Sequence, residues 1–302
     1  MKLKVYIGLF AVLLLAYLGM SLLPSIPAAS LSKYHLSSTG AHTITDSFVI
    51  LVTIVYALGF YGAYTIKSYS QLVRKSKEGQ ALGNLSSGIL ALVFAQILIA
   101  DSNALIGLII RHHPSALEVL TILNNYFTVL LTVASLAMIA YGATQLCALA
   151  SRRSRDIGNQ ILTLFFIALS ALYSYFIIIE PIHTPLVRRL YFMPNILIIL
   201  TLAIPFLTAW YLGFLGAYRI YLYQRQVKGT IYKGSLTYVA AGVALAVTSS
   251  VTVRFLVTVS TQLNRLKLTP VLFIIYGLLV LIAAGFLSIA WGAKKLRRIE
   301  EV

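Results

Sequence analysis

The sequence predicts an all-α, polytopic integral membrane bundle of eight transmembrane helices, arranged as two parallel four-helix repeats related by a pseudo-two-fold axis along the membrane normal. Three observations predict it. Of 302 residues, 59% are hydrophobic and 11% charged, whereas soluble domains run near half apolar and a quarter charged. Eight apolar stretches are long enough to cross roughly 30 Å of hydrocarbon, which takes about 20 residues. A fourteen-residue stretch, Tyr56 to Tyr69, returns as Trp210 to Tyr223 with eight identities at an offset of 154, the signature of duplication.

The eight spans run from Val5 to Leu23, Phe48 to Ile66, Ser86 to Ile110, Val119 to Leu149, Ile157 to Ile179, Leu190 to Tyr221, Leu236 to Val259 and Val271 to Ala293. Several exceed what a perpendicular crossing needs, which implies tilt or helices that continue past the headgroups. The first span follows Lys2 and Lys4 and precedes the small residues of Ser25 to Ser30. It is longer than a usual signal-peptide core and lacks a clean A-x-A site, so retention is expected. Seventeen of the 24 Lys and Arg residues fall on one side of this topology, among them Lys67, Arg74, Arg152, Arg225, Lys233 and Lys294. By the positive-inside rule, the expected location is the cell membrane with both termini cytoplasmic. The net charge of +16 therefore reads as a topology signal, and nucleic acid is not an expected partner.

The repeat extends beyond the first match. Ile139 to Leu146 returns as Ile289 to Leu296 at an offset of 150, and Gly88 and Val93 align with Gly242 and Val247 at 154. Repeat 1 covers about residues 1–151 and repeat 2 about 156–302, within one membrane domain and with no soluble domain. Four spans per half is an even number, so the halves are parallel. The repeated box contains Gly59, Gly62 and Tyr64 in the first half and Gly213, Gly216 and Tyr218 in the second. Small residues four apart, Gly59 with Ala63 and Gly213 with Ala217, let helix backbones approach closely in lipid. Tyr56, Tyr61, Tyr64, Tyr69, Trp210, Tyr211, Tyr218 and Tyr223 read as an aromatic belt at the cytoplasmic headgroups.

Polar side chains inside the spans are the candidate binding residues, because burying them in hydrocarbon is costly. Asp101 lies in the third span with Gln96 nearby, and Arg254 lies in the seventh. The alignment sets Arg254 opposite Ala100, so an Asp101–Arg254 ion pair across the pseudo-symmetry axis is the sharpest expectation; snorkelling of Arg254 is the simpler one. Asn124 and Asn125 on the fourth span and Glu180 ending the fifth add polar atoms towards the outer side. Pro205, in the sixth span, has no counterpart in the second, where Leu51 aligns.

Cofactor and enzyme chemistry find little support. No His or Lys lies mid-span for haem ligation, a Schiff base or a hydrolase base, and the five histidines fall at extracytoplasmic ends or loops. Cys147 is the only cysteine, which excludes a disulfide framework. No cofactor or metal is expected, and no catalytic constellation is present. The first expectation is therefore a carrier or channel-like protein handling a small or amphipathic solute through a polar pocket between the repeats, in the outer half of the bilayer. The alternative is a non-catalytic sensor or scaffold whose basic, Tyr-rich cytoplasmic loops Tyr69 to Lys77 and Tyr221 to Lys233 dock a cytoplasmic protein partner or anionic lipid. Membrane lipids and a small-molecule ligand are the other expected partners.

Overall fold

The computed structural model describes residues 3–21, 38–112, 117–150, 195–227, 230–263 and 268–300, with residues 164 and 168. They form seven α-helices: α1 (Leu3–Ser21), α2 (Ser38–Leu72), α3 (Lys77–His112), α4 (Leu117–Ala150), α5 (Asn195–Gln226), α6 (Thr230–Leu263) and α7 (Leu268–Glu300). Among the described residues, five stretches are long and apolar enough to cross a membrane: Asp46–Leu72, Lys77–Ser102, Leu130–Leu149, Tyr232–Val253 and Phe273–Arg297. A membrane-embedded helical bundle follows from them. The expected fifth span, Ile157 to Ile179, lies outside the described residues.

Helix length explains the main departure from the sequence reading. At 1.5 Å per residue, the 36 residues of α3 extend about 54 Å, well beyond the hydrocarbon. The basic, Tyr-rich segments expected as loops are therefore mostly helix. Only residues 73–76 separate α2 from α3, and 227–229 separate α5 from α6. Ser76 shapes the first turn: its hydroxyl donates to Val73 O at 2.8 Å and accepts the Gly79 N–H at 2.9 Å, an N-cap for α3. A Cβ on Gly79 would overlap the Val73 carbonyl, which fixes glycine there. α5 runs through Pro205 as a single helix.

Among the described residues, six helices close a ring. Each of α2 to α7 packs on the next in chain order, and α7 packs back on α2. α1 lies outside the ring against α3 and α2, with Phe10 stacked on Phe60 at 4.2 Å and Tyr17 edge-on to Tyr56 at 5.6 Å. Inside the ring, Leu85, Ile89, Ile97, Leu136, Leu146, Leu212, Ile220 and Leu236 are fully buried.

Glycine sets how closely neighbours approach. An added Cβ on Gly142 of α4 would fall on the Leu85 backbone of α3, and one on Gly88 would come within 2.6 Å of Ile139 N. Between α6 and α7, a Cβ on Gly242 would reach Gly285 O at 2.5 Å, and one on Gly292 would reach Ser235 O at 2.5 Å. On the other interfaces, Gly59 faces Val93 and Phe286, Gly62 faces the Phe286 carbonyl, Gly213 faces Val247, and Gly216 faces Ile139 and Ala140. In lipid, where apolar burial drives little association, such backbone proximity gains dispersion contacts that larger residues would block.

The aromatic belt divides into three groups. Tyr61 and Tyr218 are exposed, Tyr64, Trp210 and Tyr211 are half-buried, and Tyr56, Tyr69 and Tyr223 belong to the core. Core tyrosines sit on helix faces turned to a neighbouring helix, a distinction that the repeat alone does not carry.

Candidate functional site

The buried stripe of α3 runs through Leu85, Ile89, Val93 and Ile97 at intervals of four, and the next position on that face is Asp101. The helical period thus aims the acid towards the bundle interior. Asp101 is half-buried, and its Oδ1 is enclosed with no hydrogen-bond partner among the described residues. One turn nearer the middle of α3, Gln96 is half-buried and its carbonyl accepts a hydrogen bond from the Tyr56 hydroxyl at 3.2 Å. Beside Asp101, Ser102 donates back to Ile99 O at 3.0 Å.

Helix register brings further hydroxyls to this level. Gly142 against Leu85 and Gly88 against Ile139 set the antiparallel register of α3 and α4, which places Thr132 at the height of Gln96. Gly59 against Phe286 and Gly62 against Ile289 make α2 parallel to α7. With antiparallel neighbours on either side, α5 therefore runs parallel to α4, and Gly216 against Ala140 places Thr208 at the height of Thr132. Gly213 against Val247, with Trp210 Nε1 donating to Thr248 O at 3.4 Å, brings Ser250 of α6 to about the same layer. Thr132, Thr208, Ser249 and Ser250 are all buried. Sequence reasoning missed them because single hydroxyls in apolar helices are common, and only the register shows that they share a level. Thr132 Oγ1 is enclosed without a hydrogen-bond partner among the described residues. The layer thus collects polar side chains from α3, α4, α5 and α6, and Asp101 lies above it on α3.

The other expected binding residues are placed less fully. Asn124 and Asn125 lie on α4 and Arg254 on α6, with side chains outside the described residues. Glu180 lies outside them altogether, and the expected Asp101–Arg254 pair also falls outside them because it needs the Arg254 side chain. His35, His113 and His183 are outside, and His42 and His112 are described only as helical backbone. Among the described residues no group of three His, Cys, Asp or Glu side chains is placed to hold a metal. Cys147 is buried.

A second polar group lies at the end that carries the α2–α3 and α5–α6 turns. Lys67 Nζ donates to Gly83 O at 3.1 Å and Ser87 Oγ at 2.9 Å, tying α2 to α3. Tyr223, two residues past the apolar stretch that ends at Tyr221, hydrogen-bonds the Glu78 carboxylate and so joins α5 to α3 across the ring. Burial, then the Glu78 charge and the hydrogen bond to it, raise the Tyr223 phenol above the ordinary tyrosine range, so it remains the donor.

No protein-family model, no curated protein and no solved structure matches this chain.

Proposed function

We propose that the chain is a non-enzymatic membrane carrier or channel-like protein, built from two parallel repeats, that handles a small or amphipathic solute in the layer topped by Asp101. The observation that carries this reading is the acid at the inward-facing end of the α3 stripe, with an enclosed oxygen that no described residue bonds. Such a group favours solutes with a cationic or hydrogen-bond-donating end, and an apolar remainder suits the surrounding side chains.

The duplicated architecture is supported by contacts that recur at the sequence offsets. Gly59 meets Val93 as Gly213 meets Val247, and Gly62 meets Ile289 as Gly216 meets Ile139. Gly88 meets Ile139 as Gly242 meets Ile289, and Gly142 meets Leu85 as Gly292 meets Val239. α2 ends at Leu72 and α5 at Gln226, again 154 apart. An axis along the bundle that exchanges α2 with α5, α3 with α6 and α4 with α7 accounts for all of these pairs, and eight spans with both termini cytoplasmic complete the scheme. The repeat box then serves packing, while residues that differ between halves carry specificity. Docking through cytoplasmic loops is the weaker reading, because those connections are only three or four residues long.

Uptake into proteoliposomes tests the proposal. The probes are ethidium, tetraphenylphosphonium and an uncharged polyol. Cation uptake above that of empty liposomes, reduced about tenfold or more in a folded Asp101→Asn variant, is the expected result; a tenfold change corresponds to about 1.4 kcal/mol. Background uptake of every probe, or Asp101→Asn uptake equal to the parent, removes the proposal.

A further inference from the structure

On the surface formed by α6 and α7, near the end of the apolar stretch Phe273–Arg297, a lysine is held between two exposed rings. Lys295 Nζ lies 4.8 Å from the Tyr238 ring centroid and 5.6 Å from that of Trp291. Tyr238 and Trp291 are 42% and 57% exposed. Both distances are within cation–π range, so the rings fix where the ammonium stands before any ligand arrives. The rings bond no N–H in the conventional sense, so the ammonium keeps donors for an anion. Lys294 is exposed beside it. Away from this corner, the outer face continues as exposed apolar side chains: Leu287, Leu281 and Val280 on α7, and Leu245 on α6. A molecule covering the whole face must be anionic at one end and aliphatic along the rest.

We propose that Lys295, Lys294, Trp291 and Tyr238 bind the headgroup phosphate of an anionic phospholipid whose acyl chains lie along α6 and α7. Charge complementarity and the attached apolar face select this occupant over a soluble anion, which would leave the aliphatic surface unused. Trp and Tyr suit the headgroup level because one edge is polar and the body apolar. The corresponding corner of the first half provides a comparison. There Gln145, Thr144, Tyr141 and Asn84 occupy the aligned positions, and Asn84 Nδ2 donates to Gln145 Oε1 at 2.7 Å. The aligned positions there carry no charge, and one hydrogen bond joins the two amides. The comparison depends on the repeat alignment, but the site depends only on its own contacts, and neither depends on solute transport.

The chain has two tryptophans, so Trp210→Phe leaves Trp291 as the sole indole and a reporter inside the site. The protein is reconstituted in phosphatidylcholine vesicles containing a minority of phosphatidylglycerol, with bromine on the acyl chains of one lipid or the other. Quenching by brominated phosphatidylglycerol is expected to exceed that by brominated phosphatidylcholine at equal mole fraction. Lys295→Gln, which installs the first-half residue, should weaken the preference about fivefold, and adding Lys294→Ala should bring it to the bulk ratio. Arg74→Ala with Lys75→Ala should leave it unchanged. A Tyr141→Trp reporter, with Trp210→Phe and Trp291→Phe, should read the bulk ratio. Native mass spectrometry of the parent and Lys295→Gln chains repeats the comparison with Trp210 in place. Equal quenching by both lipids in the parent, an unchanged preference in Lys295→Gln, or equal enrichment at the Tyr141→Trp reporter would overturn the site. Loss of the preference on adding inorganic phosphate would do so too, by assigning the corner to a soluble anion.

Discussion

Gly142 and Gly277 look alike as single glycines in apolar helices, yet their surroundings predict opposite responses to the same methyl group. A Cβ on Gly142 would meet the Leu85 backbone, which cannot rotate away, whereas Gly277 has nothing within 4 Å of the same position. Gly142→Ala should destabilise the bundle by about 1–3 kcal/mol through overpacking. Gly277→Ala should be neutral or stabilising by up to about 1 kcal/mol through helix propensity. Thermal unfolding in detergent, followed by reaction of the buried Cys147 with a thiol dye, measures both. Equal effects at the two sites would contradict the packing described. At this scale the sequence was informative where chemistry is unusual and silent where it is common. Asp101 stood out as an acid in an apolar span, and Gly59 and Ala63 stood out by spacing. Thr132 and Thr208 did not, because nothing in a lone hydroxyl reveals its height in the membrane. Tyr56, Tyr69 and Tyr223 read as belt residues because composition identifies an aromatic without identifying the face it occupies.

Helices were legible from their apolar stretches, and their ends were not, because polar residues continue a helix past the hydrocarbon as readily as they form a loop. The stretch Tyr221 to Lys233 shows this: all but residues 227–229 belongs to α5 or α6. Neighbour order was legible only for consecutive helices. That α7 returns to α2 joins segments about two hundred residues apart in sequence, and no local pattern encodes it. Disulfide trapping tests both non-hairpin contacts of the ring. In a Cys147→Ser background, Gly216→Cys with Ala140→Cys should bridge α5 to α4, since a Cβ on Gly216 would lie 3.7 Å from the Ala140 Cα. Gly62→Cys with Ala290→Cys should bridge α2 to α7, the Cβ lying 3.6 Å from Ala290 N. Ala57→Cys with Leu207→Cys, both on exposed faces of helices that are not ring neighbours, should stay reduced. Failure of either bridge, together with formation of the third, would refute the ring order.

For the whole molecule, the number of crossings decides whether the two termini share a side. Eight spans bring Met1 and Val302 to the same face, and seven would separate them. Reporter fusions at each terminus, active only on one side of the membrane, should both report the cytoplasm; opposite readings would exclude two complete four-span halves. A fusion at Ser76, in the turn between α2 and α3, should agree with both termini.

The glycine pair at the centre of the α6–α7 contact also bears on what holds a bundle together when its solvent is itself apolar. The Cβ direction of Gly242 points at Gly285 O, and that of Gly285 points back at Gly242 O. In each glycine a hydrogen stands on that side, so the crossing admits two reciprocal Cα–H···O approaches, a type of contact worth about 0.5–1 kcal/mol in condensed phase. Acyl chains carry no acceptor that competes for such a hydrogen. The two helices therefore adhere partly through weak polar contacts that hydrocarbon cannot displace, and a single alanine at either position would remove one contact by substitution and disturb the other by separation.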